Sequence, residues 1–246
     1  MLSEIFLIAA VAVAAALYAS VGHGGASAYL AILTLAGRAR PEIASTVLVM
    51  NIFVSSLSWF RFQRRGYFDA PLTGVLLLFS APAAFAGGMI SASPRQFSIL
   101  LGVALLAASA RLLLPDPRPR TPHRPEGRSL WGNAALLGTG LGLLAGLTGV
   151  GGGIYLSPIL ILLGWKDAKG TAGVSSAFIA INSLTGLSGR LLRGESFQPS
   201  LLPLVIAAIF GGFLGSWWGA DRATSLTLRR LLGVVLVLAG IKLLLG

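Results

Sequence analysis

Hydrophobic residues fall in ten runs along this chain, and polar residues collect between them. The first five runs cover about 5–21, 26–36, 43–60, 70–91 and 97–114, and the second five about 131–148, 154–164, 172–189, 199–220 and 231–245. Each predicts a helix, because irregular backbone facing lipid leaves peptide groups without hydrogen-bond partners. Most runs approach the ~20 residues that cross a hydrocarbon core, whereas 26–36 and 154–164 are too short to cross alone at ~1.5 Å per residue. The predicted fold class is all-α, a polytopic helical membrane protein. Residues 1–114 form a first transmembrane unit, 115–130 a linker and 131–246 a second unit. From Pro115 to Arg128 the linker is rich in proline, which opposes helix, and arginine, which opposes insertion.

The two units read as tandem copies. Gly22-His23-Gly24-Gly25-Ala26 matches Gly149-Val150-Gly151-Gly152-Gly153, Arg65-Gly66 matches Arg193-Gly194, and Pro71 matches Pro199. Phe85-Ala86-Gly87 matches Phe213-Leu214-Gly215, and Leu100 to Val103 matches Leu231 to Val234. The shared order and nearly constant offset point to duplication. Charge then bears on orientation. If each glycine motif is the tip of a re-entrant hairpin, each copy crosses three times and the second copy is inverted. About thirteen basic residues then lie inside and about six outside, against about eleven and eight for parallel copies, so the inverted arrangement is favoured.

Composition strengthens the membrane reading. Only 11% of the 246 residues are charged and the mean hydropathy is +0.82, where soluble domains carry about 25% charged residues. The net charge of +11 sits in short clusters between apolar runs, as in membrane loops, and forms no basic stripe for nucleic acid. There is no cysteine, which excludes disulfides and thiol chemistry. Met1 to Ser20 has the apolar run of a signal peptide, but Glu4 stands where positive charge is expected, and the segment has its counterpart in the second unit. It is read as part of the mature chain.

The glycine motifs carry the candidate chemistry. Adjacent glycines weaken a helix and let the chain turn inside the membrane. The helices that follow begin with amides that have no intrahelical partner and carry the positive end of the helix dipole, a ready place for an anion. Gly22, His23, Gly24, Gly25 and Ser27 would supply one side of such a site and Gly149, Gly151, Gly152 and Gly153 the other. Gly138, Gly142 and Gly146, spaced by four, are read instead as a helix-packing face.

Gly-Val-Gly-Gly-Gly at 149–153, followed five residues later by Pro158, in a duplicated chain of this length, resembles the TauE/SafE sulfite exporter family, also called the toluene-sulfonate uptake permease family. The first motif departs from the second, with His23, Ala26 and Ala31 where Val150, Gly153 and Pro158 stand. The resemblance covers nearly the whole chain. It implies transport of sulfite, sulfonates, sulfoacetate or related anions, and it adds Pro158 to the candidate substrate-binding residues.

Several polar residues interrupt the apolar runs. His23 is a candidate for proton coupling, since an imidazole exchanges a proton near neutrality and ionisable groups at membrane depth are rare and often functional. Asn51 and Asn182, in the helices after each motif, offer amides to an oxyanion, although the repeat alignment sets Asn182 opposite Ser55. The accompanying Ser and Thr residues are read mostly as interhelical bonds. Arg61, Arg190 and Arg193 are read as interfacial anchors, and Trp59, Trp131, Trp165, Trp217 and Trp218 as an interfacial belt. No P-loop, zinc-binding set, paired intramembrane carboxylates or Ser–His dyad is found, so no enzyme activity, cofactor or metal is expected. The function expected is secondary transport of a small anion through the bilayer, in a multi-pass protein of a prokaryotic inner membrane. An anion channel and a purely structural membrane protein are the alternatives. No nucleic-acid partner is expected, and the sequence fixes no oligomeric state.

Overall fold

A computed structural model describes residues 2–37, 40–90, 95–114 and 126–245. Among these, all regular structure is helical: α1 (Leu2–Ser20), α2 (Ala26–Leu35), α3 (Arg40–Arg64), α4 (Ala70–Met89), α5 (Arg95–Leu113), α6 (Gly127–Thr148), α7 (Gly153–Leu162), α8 (Ala168–Leu192), α9 (Leu202–Asp221) and α10 (Ser225–Leu245), with a 3-10 turn Pro199–Leu201 leading into α9. Ten runs became ten helices. Of the linker expected over 115–130, residues 115–125 lie outside the described residues, and Gly127 to Leu130 form the first turn of α6.

Local chemistry sets several helix starts. Asp69 accepts from the Leu72 N–H and Asp167 from the Gly170 N–H, capping α4 and α8. Pro71 occupies the first turn of α4, where a missing N–H costs nothing. Among the described residues, Ile43–Arg64, Ala70–Met89, Gly127–Thr148 and Pro199–Asp221 are long and apolar enough to cross a membrane. Helices α2 and α7 have 10 residues each, about 15 Å, half a bilayer core. Bulky apolar side chains cover the outer surface: Phe6 is 72% exposed, Leu35 89% and Leu136 76%. In water such a surface would aggregate; in lipid it is the solvated face.

Packing fixes the directions of the helices. Gly211, Gly215 and Gly219 of α9 abut Ala12, Ala16 and Ser20 of α1 in ascending register, so these helices run parallel. Gly138, Gly142 and Gly146 of α6 likewise abut Leu76, Ser80 and Ala84 of α4, as the spacing of those glycines predicts. Helices α3 and α8 cross antiparallel through Asn51–Ser183 and Ser45–Glu195. Helix α9 runs with α3, through Val54–Gly212 and Arg65–Asp221, while α4 turns back from α3. It follows that α1 opposes α6, α3 opposes α8, and α4 opposes α9. Helices α5 and α10 are also antiparallel, with Leu113 on Gly233 and Leu106 on Gly240.

One end of the bundle gathers basic side chains. Arg65 pairs with Asp221, Lys166 with Asp69 at 2.6 Å, and Arg229 donates to the Leu112 carbonyl. Arg190 and Arg193 lie at the other end, beside Glu195. The tryptophan belt needs correction: Trp131, Trp217 and Trp218 are exposed, but Trp165 is 7% exposed and packs in the core.

The α4–α6 contact leaves no room for side chains at the glycines. A Cβ at Gly142 would lie 2.6 Å from the Ser80 Cα, well inside van der Waals contact. Gly142→Leu is expected to force the two helices apart and lower the thermal unfolding midpoint in detergent by ~10 °C or more, since overpacking costs ~1–3 kcal/mol or above. A midpoint within ~2 °C of the parent would contradict this packing.

Candidate functional site

Helix α1 ends in a paired hydrogen-bond pattern, His23 N–H to Tyr18 C=O at 2.9 Å and Gly22 N–H to Ala19 C=O at 3.1 Å, which closes the helix and turns the chain back. Helix α6 ends comparably at Gly149. Gly25 and Gly152 then hold the N-cap positions of α2 and α7 with φ of +92° and +77°, the left-handed region that glycine enters without a Cβ penalty. Each glycine motif is therefore a turn among buried residues, followed by a helix of ten residues.

The two turns meet at Asn51. Its Oδ1 accepts from the Ala26 N–H at 3.2 Å, the first residue of α2, and its Nδ2 donates to the Val150 carbonyl at 3.4 Å and to Ser183 Oγ at 2.7 Å. One buried carboxamide thus joins the first turn, the second turn and α8. The backbone comes close on both sides: a Cβ at Gly24 would collide with the Asn51 carboxamide, and one at Gly151 would lie 2.5 Å from Asn51 Nδ2 and 2.6 Å from Ser183 Oγ.

His23 points from the first turn to the second half. Its Nε2 lies 2.8 Å from Ser157 Oγ and 3.2 Å from the Gly153 carbonyl oxygen, and Ser157 donates in turn to Ser175 Oγ at 2.8 Å. Gly153 O can only accept, and Ser157 spends its proton on Ser175, so the imidazole hydrogen is assigned to Nε2. Nδ1 is buried with no partner among the described residues. Ser27 donates to the Tyr18 hydroxyl at 3.0 Å. A cavity of about 10 Å³ lies here, lined by Tyr18, His23, Gly24, Gly25, Ala26, Ser27, Val150, Ile154 and Ile179. That is room for about one water molecule.

The sequence-derived candidates divide accordingly. His23, Gly24, Gly25, Ser27, Asn51, Gly151, Gly152 and Gly153 converge at this junction. Gly22 sits where a Cβ would press on Ala172 of α8, and Pro158 is buried inside α7. Gly149 lies against Arg190, toward the far end. Asn182 is not at the junction: its neighbour Ser183 faces Asn51, which turns Asn182 about 100° away around α8, and its buried carboxamide has no partner among the described residues. Sequence reasoning passed over Ser157 and Tyr18, whose one signal was a hydroxyl inside an apolar run.

Arg190 corrects a further reading. It is no interfacial anchor: it is 6% exposed, and it donates to the carbonyls of Gly146 and Leu147 at 3.1 and 3.0 Å, capping the negative end of α6 just before the second turn. Glu195, in the connection after α8, accepts from Arg190, Arg193 and Ser45. Burial raises its carboxyl pKa, but the hydrogen bond from Arg193, the charge of Arg190 and the bond from Ser45 outweigh this and hold it below the ordinary value.

An all-helical bundle with an apolar outer surface and, among the described residues, four helices long and apolar enough to cross a bilayer defines a multi-pass integral membrane protein. The chain belongs to the sulfite exporter TauE/SafE family, whose model matches residues 7–243. It is 30% identical over 237 residues to a probable membrane transporter protein, y4hK, of Sinorhizobium fredii (strain NBRC 101917 / NGR234), covering 92% of each chain. It is 27% identical over 221 residues to a probable membrane transporter protein, YunE, of Bacillus subtilis (strain 168), covering 82% of this chain and 81% of the relative. No solved structure matches the chain. It is a membrane transporter and not an enzyme.

Proposed function

We propose that this chain is a secondary transporter of a small anion, a sulfur oxyanion or organosulfonate such as sulfite or sulfoacetate, bound where the two glycine turns meet near the midplane. We also read its halves as inverted tandem repeats, with the basic end toward the cytoplasm. The observation that carries the reading is the convergence of both turns on Asn51. The starts of α2 and α7 then bring two positive helix ends together without a fixed countercharge, which suits a dehydrated anion once the carboxamide gives up its present partners. Gradient-driven carriers hold substrate between such broken helices at a repeat interface. The family's name supports the sulfur class. A cavity of about 10 Å³ is too small for sulfite, so on this reading loading requires the two glycine turns to part.

His23 is the proposed coupling group. With the hydrogen on Nε2, a proton taken at Nδ1 would place a cation beside the anion, so charge and substrate would move together. In proteoliposomes, sulfite flux is expected to saturate and to rise several-fold under an imposed pH gradient. His23→Gln is expected to lose that stimulation while keeping exchange of labelled for unlabelled sulfite. Equal flux with and without the gradient in the parent protein would remove the coupling, and absence of flux for every sulfur oxyanion would remove the substrate class.

A further inference from the structure

At the end away from the basic face, the charges of Arg190, Arg193 and Glu195 lie beyond the Asn51 junction, beside the start of the second glycine turn. Glu195 accepts Arg190 Nη1 on both oxygens at 3.2 Å, Arg193 Nη2 on one oxygen and Ser45 Oγ on the other at 3.0 Å. That is the donor set of an anion site, with the anion supplied by the chain itself. We propose that Arg190 and Arg193 form a second oxyanion-binding site, in which the Glu195 carboxylate occupies the place that a sulfonate or sulfite takes on its way to or from the glycine junction. The inference rests on the transport reading above.

Three observations carry it. The cluster holds two cations against one carboxylate. Arg190 Nε and Arg193 Nη1 are buried and have no partner among the described residues, although Arg190 is only 6% exposed. Unspent guanidinium donors in a buried place are costly unless something takes them up. A carboxylate has two oxygens to offer, whereas a sulfonate or sulfite has three, so a sulfur oxyanion matches the donors better than the resident group does. The third observation is position. Arg190 Nη2 donates to the last carbonyls of α6, and a Cβ at Gly149 would lie 3.4 Å from that nitrogen. The site therefore abuts the second glycine turn. Glu195 itself lies in the connection between α8 and α9, which can swing without unwinding a helix. While in place it ties the end of α8 to Ser45 of α3. An anion that displaces it also releases that tie, which links arrival of the substrate to parting of α3 and α8.

The test measures sulfite binding to the full chain in detergent by calorimetry. Glu195→Gln removes the resident anion and keeps its shape, and is expected to tighten sulfite binding about tenfold. Adding Arg190→Gln is expected to cancel that gain. The same gain is expected in a Gly152→Leu background, where the central junction is disabled, so failure of the central site and failure of this one are read separately. If Glu195→Gln does not fold, Ser45→Ala, which only loosens Glu195, is expected to tighten binding about threefold. Unchanged affinity in a folded Glu195→Gln or Ser45→Ala protein, or a gain that survives Arg190→Gln, overturns the proposal.

Discussion

Gly152→Leu is expected to reduce sulfite flux in proteoliposomes at least about a hundredfold while the protein still inserts and elutes as a folded species. Gly152 has φ +77°, where a side chain costs ~1–2 kcal/mol. A Cβ there would also lie 3.1 Å from Ala145 Cβ, the Leu141 carbonyl oxygen and a ring carbon of Phe178. Those neighbours belong to α6 and α8, which pack on α4 and on each other and will not yield first. The turn must give way instead, and it carries Gly151 against Asn51 and Ser183 on one side and the Gly153 carbonyl against His23 on the other. The strain thus falls on the junction and leaves the spanning helices largely intact. Misplacement of ~1 Å in a positioned site costs about a hundredfold in rate. Gly152→Ala, with the same φ penalty and less bulk, should fall between. Flux that survives leucine would mean that the second turn serves packing alone.

The helices were legible because lipid imposes a simple code: long apolar runs, few charges, and interruptions that must be tolerated by glycine or buried. The short α2 and α7 were legible for the same reason, since Gly24-Gly25 and Gly151-Gly152 leave only ten residues of helix beyond them. The two turns were legible in outline from the paired glycines, and the buried amide of Asn51 from its polarity within an apolar run. What escaped depends on which helix of the other half faces a given side. Asn182 and Ser183 are adjacent, yet only Ser183 meets Asn51, because one residue turns a helix by about 100°. The repeat alignment hinted at this by failing to superpose the two asparagines. Arg190 looked like any basic residue at a helix end; it is buried because α6 happens to finish against it, and no local pattern encodes that meeting. Ser157 looked like one hydroxyl in an apolar helix until His23, 134 residues away in sequence, was found beside it.

The reading of Asn51 as the joint between the two turns makes opposite demands on two substitutions, and this separates architecture from charge. Asn51→Ala removes the partners of the Ala26 N–H, the Val150 carbonyl and Ser183 Oγ. Each buried polar group left unpaired costs ~1–3 kcal/mol, so a lower unfolding midpoint is expected together with at least a tenfold loss of flux. Asn51→Asp keeps an oxygen for the Ala26 N–H, so the first turn holds. It sets an acceptor against the Val150 carbonyl and, when ionised, a negative charge beside the anion. At ~6 Å and an effective dielectric constant of ~20, that repulsion is about 3 kcal/mol, or roughly a hundredfold in occupancy. Burial disfavours the ionised carboxyl, so the aspartate variant should transport best at low pH and fail progressively as pH rises, whereas the alanine variant should show no such added slope. If aspartate transports as well as asparagine at pH 8, the cargo at this junction is not an anion. The turns would then meet on Asn51 for reasons of packing rather than of charge.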